Sequence, residues 1–203
     1  MAKDARTQIT SVAEIAVLAL TSEAKLGTSK LILIDGPAGS GKTTLARMLQ
    51  SEVGAQVIHM DDLYHGWEDA LTSATMNRIV QSILLPLENG QLGKYQKFDW
   101  YQNKFLETFE VTAGSVIIEG VGSASAPIRK YASYVVWLEV DPQLGLSRVL
   151  NRDGAQITNE MLTWQKTEQN WHKIDNTRSH ANLILSGERA DGLALTEYFA
   201  LTK

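Results

Sequence analysis

The sequence predicts an α/β fold in which a parallel sheet of about five strands is covered by helices on both faces. Three observations carry this expectation. Short apolar runs recur along the 203 residues and alternate with segments of helical spacing, the pattern of strand–helix crossovers. The runs are continuously apolar, as in Leu31-Ile32-Leu33-Ile34 and Val116-Ile117-Ile118, which suits strands buried on both faces. A glycine-rich stretch, Gly36-Pro37-Ala38-Gly39-Ser40-Gly41-Lys42-Thr43, lies between the first such run and the first long helical pattern. The length fits a single domain over 1–203, with 1–28 forming an N-terminal helix packed on it.

Composition narrows the class. Hydrophobic content of 44% and charged content of 21% are those of an ordinary globular protein. A net charge of −4 argues against nucleic acid or an anionic membrane as partner. The absence of cysteine excludes disulfides and thiolate metal sites and fits a reducing cytoplasm. The apolar run Ile15 to Leu20, flanked by Glu14 and Glu23, is too short for a membrane span or a signal-peptide core. Val12, Ile15, Ala16, Ala19 and Leu20 mark one helical face instead, and Ser11 with Glu14 three residues on has the form of a capping box.

The elements follow in order. The first strand spans about Lys30 to Asp35, and the helix after the glycine stretch runs to about Glu52, stopped by Gly54. Ala55 to Met60 reads as the second strand and ends in Asp61-Asp62-Leu63-Tyr64. Gly66 to Ala74 reads as a loop. Met76, Ile79, Val80, Ile83, Leu84 and Leu87 predict a helix that Pro86 kinks or ends. An aromatic segment follows, with Tyr95, Phe98, Trp100, Tyr101, Phe105 and Phe109 around Asp99. Ser115 to Glu119 is the third strand, and Gly122 to Ala126 reads as small and flexible. Tyr134 to Val140 is the fourth strand; Asp141 then Pro142 starts a helix that Gly154 closes. A helix from about Thr158 to Ile174 and a fifth strand over Ala181 to Leu185 complete the alternation, and Leu193 to Leu201 is apolar enough to pack.

The chemistry centres on the glycine stretch. Its spacing, G-x-x-x-x-G-K-T, is the Walker A pattern or P-loop. Gly36, Gly39 and Gly41 let the backbone curl its N–H groups inward, and the next helix aims its dipole at the same spot. Gly36, Ala38, Gly39, Ser40, Gly41, Lys42, Thr43 and Thr44 are therefore the candidate cofactor contacts. Lys42 reaches the β- and γ-phosphates, and Thr43 offers a hydroxyl to Mg²⁺.

Asp61 and Asp62 lie beyond a strand's carboxyl end, on the ligand-binding edge of an open parallel sheet, where a carboxylate can take a hydroxyl proton. Glu119 ends a buried strand in the outline of a Walker B acid and is a metal candidate with Thr43. Arg148 and Arg152, four apart on one helix face, are candidate lid residues over a triphosphate, with Arg178 a lesser one. Asp99 among aromatics is a candidate buried acid. His59, His65, His172 and His180 lack metal-ligand spacing, and Trp67, Trp137, Trp164 and Trp171 read as core.

These residues resemble the uridine kinase family of P-loop small-molecule kinases. G-P-A-G-S-G-K-T-T, then M-D-D-L-Y, then I-I-E-G match the family's order, and the resemblance spans about residues 30 to 186. It implies the three-layer sandwich of P-loop NTPases, with ATP and Mg²⁺ as cofactors and a hydroxyl-bearing small molecule as acceptor. It places the general base at Asp61, with Asp62 and Tyr64 beside the acceptor. It further places the acceptor pocket's aromatic–acid pair at Phe98-Asp99, the strand-end acid at Glu119 and the lid at Arg148 and Arg152. Two departures stand out: Thr72 to Met76 replaces the family's ribose-binding acidic segment, and Asn103 stands where the family has a base-contacting histidine.

Three functions are therefore in play. The leading one is an ATP- and Mg²⁺-dependent kinase for a hydroxyl of a small metabolite. The second is a P-loop kinase for a non-nucleoside acceptor such as a vitamin, sugar or nucleotide. The third is a non-catalytic ATP-binding regulatory module. A GTPase would carry N-K-x-D after the fourth strand, where this chain has Glu139-Val140-Asp141-Pro142.

Overall fold

The computed structural model describes residues 6–188 and 192–202. Its main sheet has seven strands rather than about five. They are β1 (Arg6–Ser11), β2 (Lys30–Asp35), β3 (Gln56–His59), β6 (Ser115–Glu119), β7 (Tyr134–Glu139), β8 (Leu183–Ser186) and β9 (Glu197–Leu201), in the order β1-β9-β8-β7-β2-β6-β3. The five strands β8-β7-β2-β6-β3 are mutually parallel and are the five read from the apolar runs. The two additional strands are an antiparallel edge: β9 pairs with β8, and β1 pairs with β9, placing Ser11 opposite Glu197. The β1 sequence, Arg-Thr-Gln-Ile-Thr-Ser, lacks a continuous apolar run, whereas β9 falls within the Leu193 to Leu201 segment expected to be apolar enough to pack. A separate two-stranded sheet joins β4 (Gly93–Asp99) to β5 (Lys104–Val111).

Successive residues of a strand face opposite sides, and this divides the core in two. Leu31 and Leu33 of β2, with Ile118, Val135 and Ile184, face one layer; Ile32 and Ile34, with Ile117, Val136 and Leu185, face the other. The second layer holds α1 (Val12–Thr21) and α2 (Lys42–Val53). Helix α1 starts on the expected capping box: Ser11 Oγ accepts the Glu14 N–H, and Glu14 Oε2 accepts the Ser11 N–H at 2.7 Å. The helix is shorter than the expected 1–28 segment, and residues 1–5 lie outside the described chain. Leu20, assigned to its buried face, is exposed, while its neighbour Ala19 in the same turn is fully buried.

The first layer holds α3 (Met60–Leu63), α4 (Ser73–Ile79), α5 (Leu85–Glu88), α6 (Ala126–Arg129), α7 (Pro142–Asp153) and α8 (Thr158–Asp175). Helices α4 and α5 are one continuous rod joined by a wider, π-type turn at Val80–Leu84. Pro86 explains the widening: it has no N–H to donate and its ring collides with a carbonyl four residues back in a regular helix. Helix α7 begins as expected, with Asp141 accepting the N–H groups of Gln143 and Leu144 ahead of Pro142.

The segment Gly122 to Ala126, expected to be flexible, is held fast. Its Gly122 and Ala124 N–H groups donate to the buried Asp35 carboxylate, and Ser123 Oγ donates to Ile34 O. Small residues here permit burial against β2 rather than motion. Trp67, expected in the core, is about half exposed and packs on Trp100 and Trp164.

Candidate active site

All the charged candidates that come together do so at the carboxyl ends of β2, β3, β6 and β7, the edge where ligands bind in open parallel sheets. A cleft of about 590 Å³ opens there. Its floor is the glycine stretch with Lys42, Thr43 and Thr44; its walls are Asp61, Tyr64, Glu119, Arg148 and Arg152, and an aromatic side made by Trp67, Trp100, Tyr101 and Trp164. A second hollow of about 380 Å³ lies beyond Trp67 and Trp164, along Asn159, Glu160, Thr163 and Thr167 of α8, and holds no part of the loop.

The loop wraps around the lysine. Lys42 is buried, and its Nζ donates to Gly36 O at 2.8 Å and to Pro37 O at 2.7 Å, with Ser40 Oγ at 3.5 Å. Burial pulls the Lys42 pKa down, opposed by the negative charges of Asp35, Glu168, Glu119 and Asp61. The loop is pressed against α7: a Cβ on Gly39, whose φ is +76°, would lie 2.2 Å from Gly145 O, and one on Gly145 would lie 2.7 Å from Ala38 O. Only glycine on both sides allows this approach.

Thr43 and Glu119, the two metal candidates, touch directly. Thr43 Oγ1 donates to Glu119 Oε1 at 2.9 Å, and His59 Nδ1 lies 2.5 Å from the same oxygen. That hydrogen bond raises the His59 pKa despite partial burial. Among the described residues no group of three or more His, Cys, Asp or Glu could hold a metal ion.

The aspartate pair separates. It sits in the first turn of α3 rather than on a turn after β3, so successive side chains diverge by about 100°. Asp61 opens onto the cleft, where surrounding protein raises its pKa, first by desolvation and then through the Glu119 charge, against the pull of Lys42 and Arg152. Trp100 Nε1 donates to Asp61 O at 2.8 Å and ties the hairpin to this turn. Asp62 points away and pairs with Lys97 Nζ at 2.9 Å. Tyr64 is buried at the cleft wall, with its hydroxyl donating to Val121 O at 2.5 Å; burial raises its pKa well above the usual value.

Other expected residues are placed differently. Phe98 is buried against His65, Trp100 and Phe105 within the hairpin. Asp99 is not a buried acid: its Oδ1 accepts the N–H groups of Tyr101 and Gln102 and shapes the hairpin turn. The aromatic density of this segment hid a hairpin, with Phe98 and Phe105 facing each other across the tip Trp100-Tyr101-Gln102-Asn103, which ends in Asn103 at φ +49°. Arg148 does not extend as a lid: its NH1 donates to Gly39 O at 3.1 Å and Gly187 O at 2.9 Å, so it braces the loop from outside. Arg152 forks onto Asp153 with two bonds of 2.7 Å at the cleft rim. Arg178 pairs with Glu139.

Sequence reasoning missed a buried polar group beneath the loop. Asp35, fully buried, accepts the N–H groups of Gly36 at 2.7 Å, Gly122 at 3.0 Å and Ala124 at 2.8 Å, with His172 Nε2 at 3.3 Å. Glu168, also buried, accepts the Ala38 N–H at 3.0 Å. A signal for Glu168 existed: it continues the Met161, Trp164 stripe of α8 at helical spacing, so an acid stands on a buried face.

No family model matches the chain. A cytidylate kinase of Archaeoglobus fulgidus is 26% identical over 129 residues, which cover 63% of this chain and 64% of that protein. The chain thus spans less than two thirds of the length of the curated relative it matches. Among solved structures, a protein described as a possible uridine kinase from Bacillus stearothermophilus superposes with a TM-score of 0.63 at 17% identity, covering 85% of this chain and 96% of that one. A protein assigned as a fructose transport system kinase from a Silicibacter species superposes with a TM-score of 0.55 at 16% identity, over 85% and 92% of the two chains. The fold is that of the P-loop kinases. Within that class, the resemblance to uridine kinase-like proteins read from the motifs is matched by the fold of these neighbours. No helix among the described residues is long and apolar enough to cross a membrane.

Proposed function

We propose that the chain is an ATP- and Mg²⁺-dependent phosphotransferase acting on a hydroxyl of a small metabolite. The observation that carries this reading is one cleft in which a glycine loop closed around Lys42 faces an exposed carboxylate, Asp61. Phosphoryl transfer is mostly positioning and charge neutralisation, and these are the parts it needs.

In this reading the loop amides and Lys42 take the phosphates. Thr43 and Glu119 present a hydroxyl and a carboxylate oxygen, the hard donors that would hold Mg²⁺. The ion would supply charge neutralisation at the phosphates. Asp61 orients the acceptor hydroxyl and takes its proton, its raised pKa making it the better base. Arg152 stands at the rim forked onto Asp153, and would exchange that partner for the transferring group. The indole rings of Trp67, Trp100 and Trp164 give the acceptor an apolar wall. A cytoplasmic location accords with a chain free of cysteine, and a net charge of −4 supports neither nucleic acid nor anionic membrane as partner.

The test is a screen of nucleosides, sugars and vitamins for acceptor-dependent ADP release with Mg²⁺ present. One acceptor class that raises ADP release well above the acceptor-free rate supports the kinase. ATP binding with no acceptor effect across all classes returns the chain to a regulatory ATP-binding module.

A further inference from the structure

The contact between Glu168 and Ala38 joins residues 130 positions apart and brings a buried acid onto the backbone of the phosphate loop. Burying a carboxylate is costly, so its partners determine what it does. Desolvation pushes the Glu168 pKa up, while the Ala38 N–H, Lys42 and His172 pull it down. One turn further along α8, His172 reaches Asp35 at 3.3 Å, immediately before the loop's first glycine. Helix α8 therefore touches the loop at two adjacent points, its entry and its third residue.

Peptide geometry turns this contact into a constraint. All described peptide bonds are trans. In a trans peptide the C=O and N–H point in opposite directions. The Pro37 carbonyl and the Ala38 N–H belong to one such plane. The carbonyl accepts from Lys42 Nζ at 2.7 Å on the inner side, and the N–H donates to Glu168 Oε2 at 3.0 Å on the outer side. Were the plane to flip, the carbonyl oxygen would face the carboxylate and the lysine would lose an acceptor. Lys42 spends two of its three ammonium protons on Gly36 O and Pro37 O; the third has only the long 3.5 Å contact with Ser40 Oγ to exchange for a phosphate oxygen.

We infer that Glu168 is a positioning residue of the phosphate loop: by holding the Ala38 N–H outward, it turns the Pro37 carbonyl onto Lys42 and presets the lysine for phosphate. The inference rests on the nucleotide-binding reading of the site. It also removes the Ala38 N–H from the inward cradle; the phosphate contacts fall to the amides further along the loop.

The experiment compares the full chain with Glu168→Gln and Glu168→Ala, measuring the affinity for ATP with Mg²⁺, the melting temperature and the hydrogen exchange of the Ala38 amide. Glutamine keeps an oxygen that accepts the same N–H, so its affinity should stay within about twofold of the parent, whereas alanine should weaken binding about tenfold. The Ala38 amide should be protected in the parent and the glutamine variant and should exchange faster in the alanine variant. Parent-like affinity in the alanine variant, or equal loss in both variants, overturns the inference. If Glu168→Ala does not fold, the glutamine variant and Ala38 protection in the parent decide it, and an unprotected amide in the parent overturns it. Failure of the parent to bind ATP sinks the proposed function instead, while Ala38 protection without nucleotide still decides the positioning.

Discussion

Replacing Asp35 with alanine removes the acceptor of three backbone N–H groups in the interior, those of Gly36, Gly122 and Ala124. The side chain is fully buried, so water does not replace it without opening the core. An unsatisfied buried donor costs about 1–3 kcal/mol. Three of them, with partial relaxation, give an expected loss of about 3–5 kcal/mol, a large share of the roughly 5–15 kcal/mol that holds a domain together. Asp35→Asn should lose less, about 1–3 kcal/mol, because one oxygen can still serve Gly36 and Gly122 while the amide nitrogen meets the Ala124 donor. Urea unfolding checks both values through the midpoint at unchanged slope. The same group predicts a pH dependence. Burial alone would raise the Asp35 pKa, but His172 and the N–H groups of Ala124 and Gly36 hold it below the ordinary value. A carboxylate depressed in the folded state contributes stability above its unfolded pKa of about 3.9, and that contribution is lost as the pH falls toward the folded value. The parent should therefore lose stability in acid below about pH 4, and Asp35→Asn should flatten that part of the curve. A loss under about 1 kcal/mol in Asp35→Ala would refute the account of a buried anchor.

Three further outcomes are expected. Lys42→Ala should abolish turnover in a protein that still unfolds cooperatively; unchanged turnover would remove the loop from the chemistry. Gly145→Val should weaken ATP binding and cost about 1–3 kcal/mol of stability, since its Cβ falls 2.7 Å from Ala38 O; calorimetric titration and thermal melting read both, and a parent-like variant would show that α7 yields freely. Asp61→Asn should keep ATP affinity and lower kcat by about 10²–10⁴ with a confirmed acceptor, while Asp62→Asn, freed from Lys97, should change kcat much less; the reverse order would assign the base to Asp62.

What the sequence determined by itself is local. Apolar runs placed the five parallel strands, most firmly β2, β6 and β7, whose burial on both faces leaves little room for polar residues, while β3 at the sheet edge is only partly buried. The capping box at Ser11 and Glu14, the Asp141-Pro142 start and the G-x-x-x-x-G-K-T spacing all became the structures they imply, because each is closed by hydrogen bonds within a few residues. Tertiary structure decided whatever depends on a partner far along the chain. Strand β1, with Ile9 as its one apolar residue, carries no strand signal and is held by β9; the sequence marked β9 as apolar enough to pack, and its pairing with β8 and β1 makes it a strand. Asp61 and Asp62 are equivalent in the sequence; the turn of α3 and Lys97 on the hairpin send them different ways. Arg148 had the spacing of a lid residue, but the carbonyls of Gly39 and Gly187 stand within its reach and hold it to the loop. Asp35 lies far in sequence from Glu168 and His172, which are one turn apart on α8, and the three come together at the loop only when α8 packs on the sheet. There the low dielectric makes each unpaired charge costly and so requires each one to find its partner.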